Sequence, residues 1–141
     1  MSRAKPMTLG ELLAGFATVP AHLADRLASG LAADSRAVRP GDVFFALRGA
    51  RWHGLEFLDA VRAAGALAVV WEPPFAGSLP VDAVIPLLAV PDLRQKAGFI
   101  ASRFFGEPSR RLRVVGITGT DGKTSCAHFI AQALSDATPG P

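Results

Sequence analysis

Val115-Gly-Ile-Thr-Gly-Thr-Asp-Gly-Lys-Thr124 is a β-branched run that enters a glycine-bearing turn, and an Ala-rich segment from Thr124 to about Ser135 follows it directly. The order strand, glycine turn, Lys-Thr, helix has a mechanism. Backbone N–H groups of the turn and of the first helical turn point at phosphate oxygens, where the helix dipole also favours negative charge. Glycine is needed because a Cβ would block close approach of the backbone. Lys123 would neutralise the outer phosphates and the Thr124 hydroxyl would ligate Mg²⁺. Gly119, Thr120, Asp121, Gly122, Lys123, Thr124 and Ser125 are therefore the candidate nucleotide-binding residues, with ATP and Mg²⁺ as the expected ligands. Lys123 is the catalytic candidate, since charge on a transferred phosphoryl group needs a positioned cation.

The spacing narrows this reading. In the general pattern G-x-x-x-x-G-K-[ST] the first glycine would fall on Ile117, and Gly116 stands one place too early. The match is to a shorter variant, G-T-x-G-K-T. The bland alternative is a left-handed turn between strand and helix that happens to hold a lysine.

Upstream, Gly106-Glu-Pro-Ser109 reads as a boundary, so residues 1–108 are expected to form one domain and residues 109–141 the start of a second. Within the first, Thr8 can cap a helix over Leu9 to Phe16, with Glu11 completing a capping box. Gly30 to Arg36, the turn Arg39-Pro-Gly-Asp42 and the apolar run Val43-Phe-Phe-Ala-Leu47 read as strand, tight turn, strand. Leu55 to Ala66 has the period of an amphipathic helix, and Leu67 to Trp71 that of a buried strand. Ala83 to Val90 is a strand candidate broken at Pro86. Leu93, Ala97, Ile100 and Phe104 mark a helix from Pro91 to about Phe105. Leu112 to Ile117 reads as a strand. This alternation predicts an α/β fold. One strand and one helix cannot bury both faces of a parallel sheet, so the second piece is expected to be incomplete.

Composition sets outer limits. With 141 residues, half of them hydrophobic and 19% charged, a folded core is available. A net charge of +3 suits an anionic ligand, but no Tyr is present and the Phe residues follow apolar patterns, which argues against a nucleic-acid partner. Cys126 is the only cysteine, which excludes an intrachain disulfide framework and points to a reducing cytoplasm. The apolar segment Leu12 to Ala24 is interrupted by Gly15 and Pro20, and Ala63 to Trp71 is far short of the roughly 20 residues that span a bilayer, so no membrane partner is expected. Cys126 and His128 lie two apart on one helix, point in different directions and read as structural.

The loop Val115 to Thr124 resembles the ATP loop of the Mur ligases, the amide-forming enzymes of peptidoglycan precursor synthesis. Ala33-Asp-Ser-Arg36, Pro40-Gly-Asp-Val-Phe-Phe-Ala-Leu47, Gly49, Gly54 and Ala64-Gly-Ala66 resemble the amino-terminal domain of the same family. Within it the chain is most similar to members that add the third residue to UDP-N-acetylmuramoyl-L-alanyl-D-glutamate, with the D-alanyl-D-alanine-adding members next. Lys123-Thr-Ser125 is common among the latter. The resemblance implies a small UDP-sugar-binding domain, then the first strand, phosphate loop and helix of a parallel-sheet ATPase domain. It implies that ATP phosphorylates the substrate carboxylate and that an amine then attacks the acyl phosphate. By position, Ala33, Ser35, Ala50, Arg51 and Trp52 would contact UDP-N-acetylmuramoyl-dipeptide, Arg suiting the diphosphate and an exposed Trp the uracil.

Other readings stay open. Ser35 could instead organise its turn, and Asp34 with Arg36 could be a solvated ion pair. His53 stands where the family usually has Asp, and Asp121 where Asn or Ser is more usual. Such ligases continue into the rest of the ATPase domain and an amino-acid-binding domain, so this chain is expected to be inactive alone. A non-catalytic UDP-sugar or nucleotide module, or a folylpolyglutamate synthetase-like ligase, are the alternatives; the latter usually has Gly where Thr124 stands.

Overall fold

The computed structural model describes residues 6–80, 84–110 and 115–137. The chain divides into two compact units, residues 1–108 and 109–141.

The first unit opens with β1 (Met7–Thr8) and α1 (Leu9–Leu13). The Thr8 hydroxyl accepts from the Glu11 N–H while the Glu11 carboxylate accepts from the Thr8 N–H, the reciprocal box expected from the sequence. The helix stops at Leu13, short of Phe16, and Gly15 takes a φ of 81° just beyond it. After α2 (Ala21–Ala24), β2 (Leu27–Ala28) pairs antiparallel with β1.

A four-stranded sheet follows, in the order β3 (Gly30–Ala32), β4 (Asp42–Ala46), β5 (Ala68–Trp71), β6 (Leu87–Ala89), with every neighbouring pair parallel. The strands and the turn read in Gly30 to Leu47 are all present, the first strand ending at Ala32, and the pairing is parallel. The tight turn exists, since the Asp42 N–H donates to the Arg39 carbonyl and Gly41 has a φ of 86°. But a 3-10 turn at Ser35–Ala37 reverses the chain once before it, and two reversals leave the strands parallel. Asp42, buried at 8% exposure, accepts from the Arg39 N–H at 2.9 Å and so locks the second reversal.

Between β4 and β5 a 3-10 turn over Gly54–Phe57 runs into α3 (Leu58–Ala63), so the predicted helix is α-helical only in its second half. Beyond β6, α4 (Leu93–Phe104) matches the predicted apolar period: Leu93, Ile100 and Phe104 are buried and Ala97 packs beside them. Its start is set by Asp92, which takes the left-handed conformation at φ 56°, so Pro91 precedes the helix rather than opening it. Part of the Ala83 to Val90 strand expectation lies outside the described residues.

Burial alternates along the central strands. Val43, Phe45, Ala68 and Val70 face a core layer shared with α1 and α4, whereas Phe44, Ala46 and Val69 face a layer closed by Val38, Leu55 and Val61. A parallel sheet covered on both faces needs strands apolar on both, which is why Val43 to Leu47 and Leu67 to Trp71 read as continuous apolar runs. Arg103 on α4 ties the unit's ends together: its guanidinium donates to the carbonyls of Glu11, Leu12 and Ala14 and lies 4.9 Å from the centre of the Phe16 ring.

The second unit holds one long element, α5 (Lys123–Ala137), whose bounds extend the predicted helix slightly at both ends. Val115 to Ile117 forms no strand, because nothing among the described residues of this unit offers a ladder partner; residues 112–114 of that expectation, and the tail from residue 138, lie outside the described residues.

Candidate functional site

Loops that follow the carboxyl ends of β3, β4 and β5 gather at one edge of the sheet, the edge at which open parallel sheets take their ligands. After β3, Asp34 caps the Ser35–Ala37 turn. Its carboxylate accepts from the Arg36 N–H at 3.0 Å and from the Arg36 guanidinium at 3.0 and 2.7 Å. The guanidinium and then the backbone N–H of Arg36 outweigh partial desolvation and lower the Asp34 carboxyl to about 2. Asp34, and not Ser35, organises this turn, so the bland reading of Ser35 loses its observation and that of the Asp34–Arg36 ion pair gains one.

After β4 the chain makes a small hairpin. Arg48 bridges His53, the Gly49 N–H donates to the Trp52 carbonyl at 2.9 Å, and the Gly54 N–H donates to the Leu47 carbonyl at 2.9 Å. Ala50 and Arg51 form the tip. Two glycines fix it: a Cβ on Gly54 would lie 2.5 Å from the Ala46 Cα, and one on Gly49 2.7 Å from the Trp52 carbonyl oxygen.

His53 is buried at the base of this hairpin. Its Nε2 lies 2.7 Å from the Glu72 carbonyl, so that nitrogen carries the proton and donates. Nδ1 is left to accept from the Leu55 N–H at 3.1 Å. An acceptor in this place caps the Gly54–Phe57 turn as a carboxylate would. The Phe75 ring packs 4.9 Å from the imidazole.

The five expected substrate residues do not share one cavity. Ala33, Ser35 and Trp52 line a cavity of about 690 Å³ together with Arg36 and Phe57. Arg51 and Trp52 line a second of about 690 Å³ with His53 and Phe75. Ala50 lines a third of about 590 Å³ with Arg48, Glu72 and Arg94. Trp52, 62% exposed, is the wall common to the first two, and both have the size of small-molecule sites. Glu72 and Arg94 escape sequence reading; a charged residue directly after a buried strand is the only signal at Glu72.

In the second unit, Gly119 has a φ of 150° and Gly122 of 73°, conformations open to glycine, and no atom lies within 4 Å of where a Gly122 Cβ would be. The Cys126 N–H donates to the Gly122 carbonyl at 2.9 Å, so the N–H groups of Lys123, Thr124 and Ser125 precede the helical ladder. The Lys123 ammonium folds back onto the carbonyls of Gly119 and Thr120. Thr120, Asp121 and Thr124 are exposed beside it. This geometry fits a phosphate chain: glycine backbone, helix amino terminus and one ammonium. Among the described residues no three His, Cys, Asp or Glu side chains gather as a metal site. Cys126 is exposed and unbridged.

Residues 28–104 match the family model described as "Mur ligase family, catalytic domain". The chain belongs to the Mur ligase family. Among Mur ligases, the UDP-N-acetylmuramoyl-L-alanyl-D-glutamate--2,6-diaminopimelate ligase of Alkalilimnicola ehrlichii is 53% identical over 119 residues, which cover 78% of this chain and 24% of that protein. The protein of the same name from Xanthomonas campestris is 47% identical over 135 residues, 96% of this chain and 26% of its own length. The solved structure of a diaminopimelate ligase superposes with a TM-score of 0.69 at 26% identity, covering 94% of this chain and 26% of that one. That of a D-alanyl-D-alanyl ligase from Acinetobacter baumannii gives 0.66 at 26% identity, covering 99% and 30%. The chain thus spans about a quarter of the length of these curated Mur ligases. The α/β fold with a parallel sheet is the family's. No helix among the described residues is long and apolar enough to cross a membrane.

Proposed function

We propose that this chain is the amino-terminal part of an ATP-dependent ligase that adds the third amino acid to UDP-N-acetylmuramoyl-L-alanyl-D-glutamate in the cytoplasm. The observation that carries the reading is the Gly119–Thr124 loop opening α5, in a chain whose first unit presents an Arg- and Trp-bearing hairpin at the ligand edge of its sheet. The names of the relatives at 53% and 47% identity favour 2,6-diaminopimelate as the incoming amine over D-alanyl-D-alanine.

In this reading Ala33, Ser35 and Trp52 take the uridine, with the indole stacking on the base, and Arg51 at the hairpin tip meets the diphosphate. The N–H groups of Gly122 to Ser125 hold the ATP phosphates, Lys123 neutralises the outermost one, and Thr124 offers its hydroxyl to Mg²⁺. ATP, when bound, would supply the activation that turns the substrate carboxylate into a leaving-group-bearing acyl phosphate. The task of these residues is then positioning and electrostatics rather than covalent chemistry.

Calorimetry on the 141-residue chain tests the proposal. UDP-N-acetylmuramoyl-L-alanyl-D-glutamate is expected to bind while Mg-ATP binds weakly and no ADP is released. Failure of the sugar nucleotide to bind would remove the reading, and substrate-dependent ADP release would show that the chain needs no further domain.

A further inference from the structure

Glu72 reaches the recognition hairpin at both of its ends. It is the first residue after β5, and its own N–H donates to the Ala46 carbonyl at 3.2 Å, so its backbone is an extension of the sheet. One carboxylate oxygen accepts from the Arg48 N–H at 3.1 Å, where the hairpin begins. Its carbonyl accepts from His53 Nε2 at 2.7 Å, where the hairpin ends. The other carboxylate oxygen accepts from the Arg94 N–H at 3.2 Å, and the Arg94 guanidinium donates in turn to the Arg48 carbonyl at 2.7 Å. The hairpin base is thus held by one anionic side chain, one carbonyl and one guanidinium, all outside the hairpin itself. Partial burial pushes the Glu72 carboxyl up, but the N–H donors and guanidinium charges of Arg48 and Arg94 outweigh it and hold the group below its ordinary value.

We propose that Glu72 is a positioning residue for substrate, fixing the Ala50-Arg51-Trp52 tip over the sheet edge through its paired bonds to Arg48 and His53. The inference rests on the reading that this tip meets the UDP moiety. Nothing in it requires Glu72 to touch the ligand. Bound diphosphate would find Arg51 and Trp52 already arranged, so that little ordering of the loop opposes binding.

Glu72→Gln tests this with little change of shape. Two N–H groups converge on the two carboxylate oxygens, and an amide can accept only one of them while setting its NH₂ against the other. Calorimetry with UDP, on the 141-residue chain, is expected to show binding roughly tenfold weaker than in the unaltered chain, as loss of a charge-assisted bond implies. Thermal unfolding stays cooperative, and hydrogen exchange quickens at Arg48 to Trp52 but not in β4. Glu72→Asp, which keeps both acceptors on a shorter arm, recovers part of the affinity.

UDP bound equally well by Glu72→Gln, or weakened only in proportion to a lost folded fraction, would overturn the proposal while leaving the function reading intact. Absence of UDP binding by the unaltered chain would overturn that reading and this inference with it. Should Glu72→Gln fail to fold, Glu72→Asp carries the test, because its shorter arm stretches the bonds to both N–H groups; weaker UDP binding than in the unaltered chain supports the proposal and equal binding overturns it.

Discussion

Arg103 is a half-buried cation whose guanidinium meets three carbonyls at the end of α1 and the face of Phe16. Orphan carbonyls at a helix end need donors, and a charged donor is worth more than a neutral one. Arg103→Met keeps much of the aliphatic stem and removes the donors, so it should lower stability by about 1–3 kcal/mol. Urea unfolding with a shifted midpoint and an unchanged slope would show it. Gly54 is constrained differently: a side chain there meets the backbone of Ala46 at 2.5 Å. Gly54→Ala should both weaken UDP binding, read by calorimetry, and lower the melting temperature, because the added methyl pushes the base of the hairpin away from buried Ala46. At Asp34 the Arg36 guanidinium, and then its backbone N–H, hold the carboxyl down from 3.8 to about 2. A depressed acid contributes stability above its unfolded value and loses it as pH falls through the folded one, so any contribution here fades between 3.8 and about 2. The pair is exposed and its contribution small, so the better measurement is the carboxyl carbon shift: Arg36→Gln should return Asp34 toward 3.8.

At the scale of elements, what could be read from the sequence was what local chemistry decides. The Thr8–Glu11 box, the period of Leu93 to Phe104 and the buried run at Leu67 to Trp71 each carry their signal within a few residues. Strand direction does not. The Arg39–Asp42 turn was visible, and so was a pairing of Asp34 with Arg36, but not that the Arg36 N–H would donate to the Asp34 carboxylate and cap a turn at Ser35–Ala37. The candidate site divides the same way. Gly119 to Thr124 lies in one continuous stretch and could be read directly, whereas Glu72 acts on Arg48 across 24 positions and on Arg94 across 22. The split of Ala33, Ser35, Ala50, Arg51 and Trp52 among neighbouring cavities likewise follows from how the hairpin folds over, which sequence order cannot show. In a complete ligase, Lys123→Ala should cost roughly 10²–10³ in kcat, by analogy with loss of one preorganised charge-stabilising donor, with a smaller change in KM for the sugar nucleotide. Steady-state kinetics varying each substrate separates the two.

The whole first unit has its own core on both faces of the sheet, built from residues between Leu9 and Phe104. A polypeptide of residues 1–108 should therefore unfold in one cooperative transition and bind UDP as the longer chain does; a broad, non-cooperative melt would show that the second unit contributes to the core. The sheet also has a consequence for how the molecule is made. Its strands lie side by side in the order of synthesis, β3 to β6, each joined to its sequence neighbour by a single crossover. Pairing can thus advance with the growing chain, one strand at a time, without waiting for a distant partner. The exception is α1, whose packing partner α4 emerges last. Closure of the unit then coincides with arrival of Arg103 at the carbonyls of Glu11, Leu12 and Ala14, where the last helix of the unit meets its first.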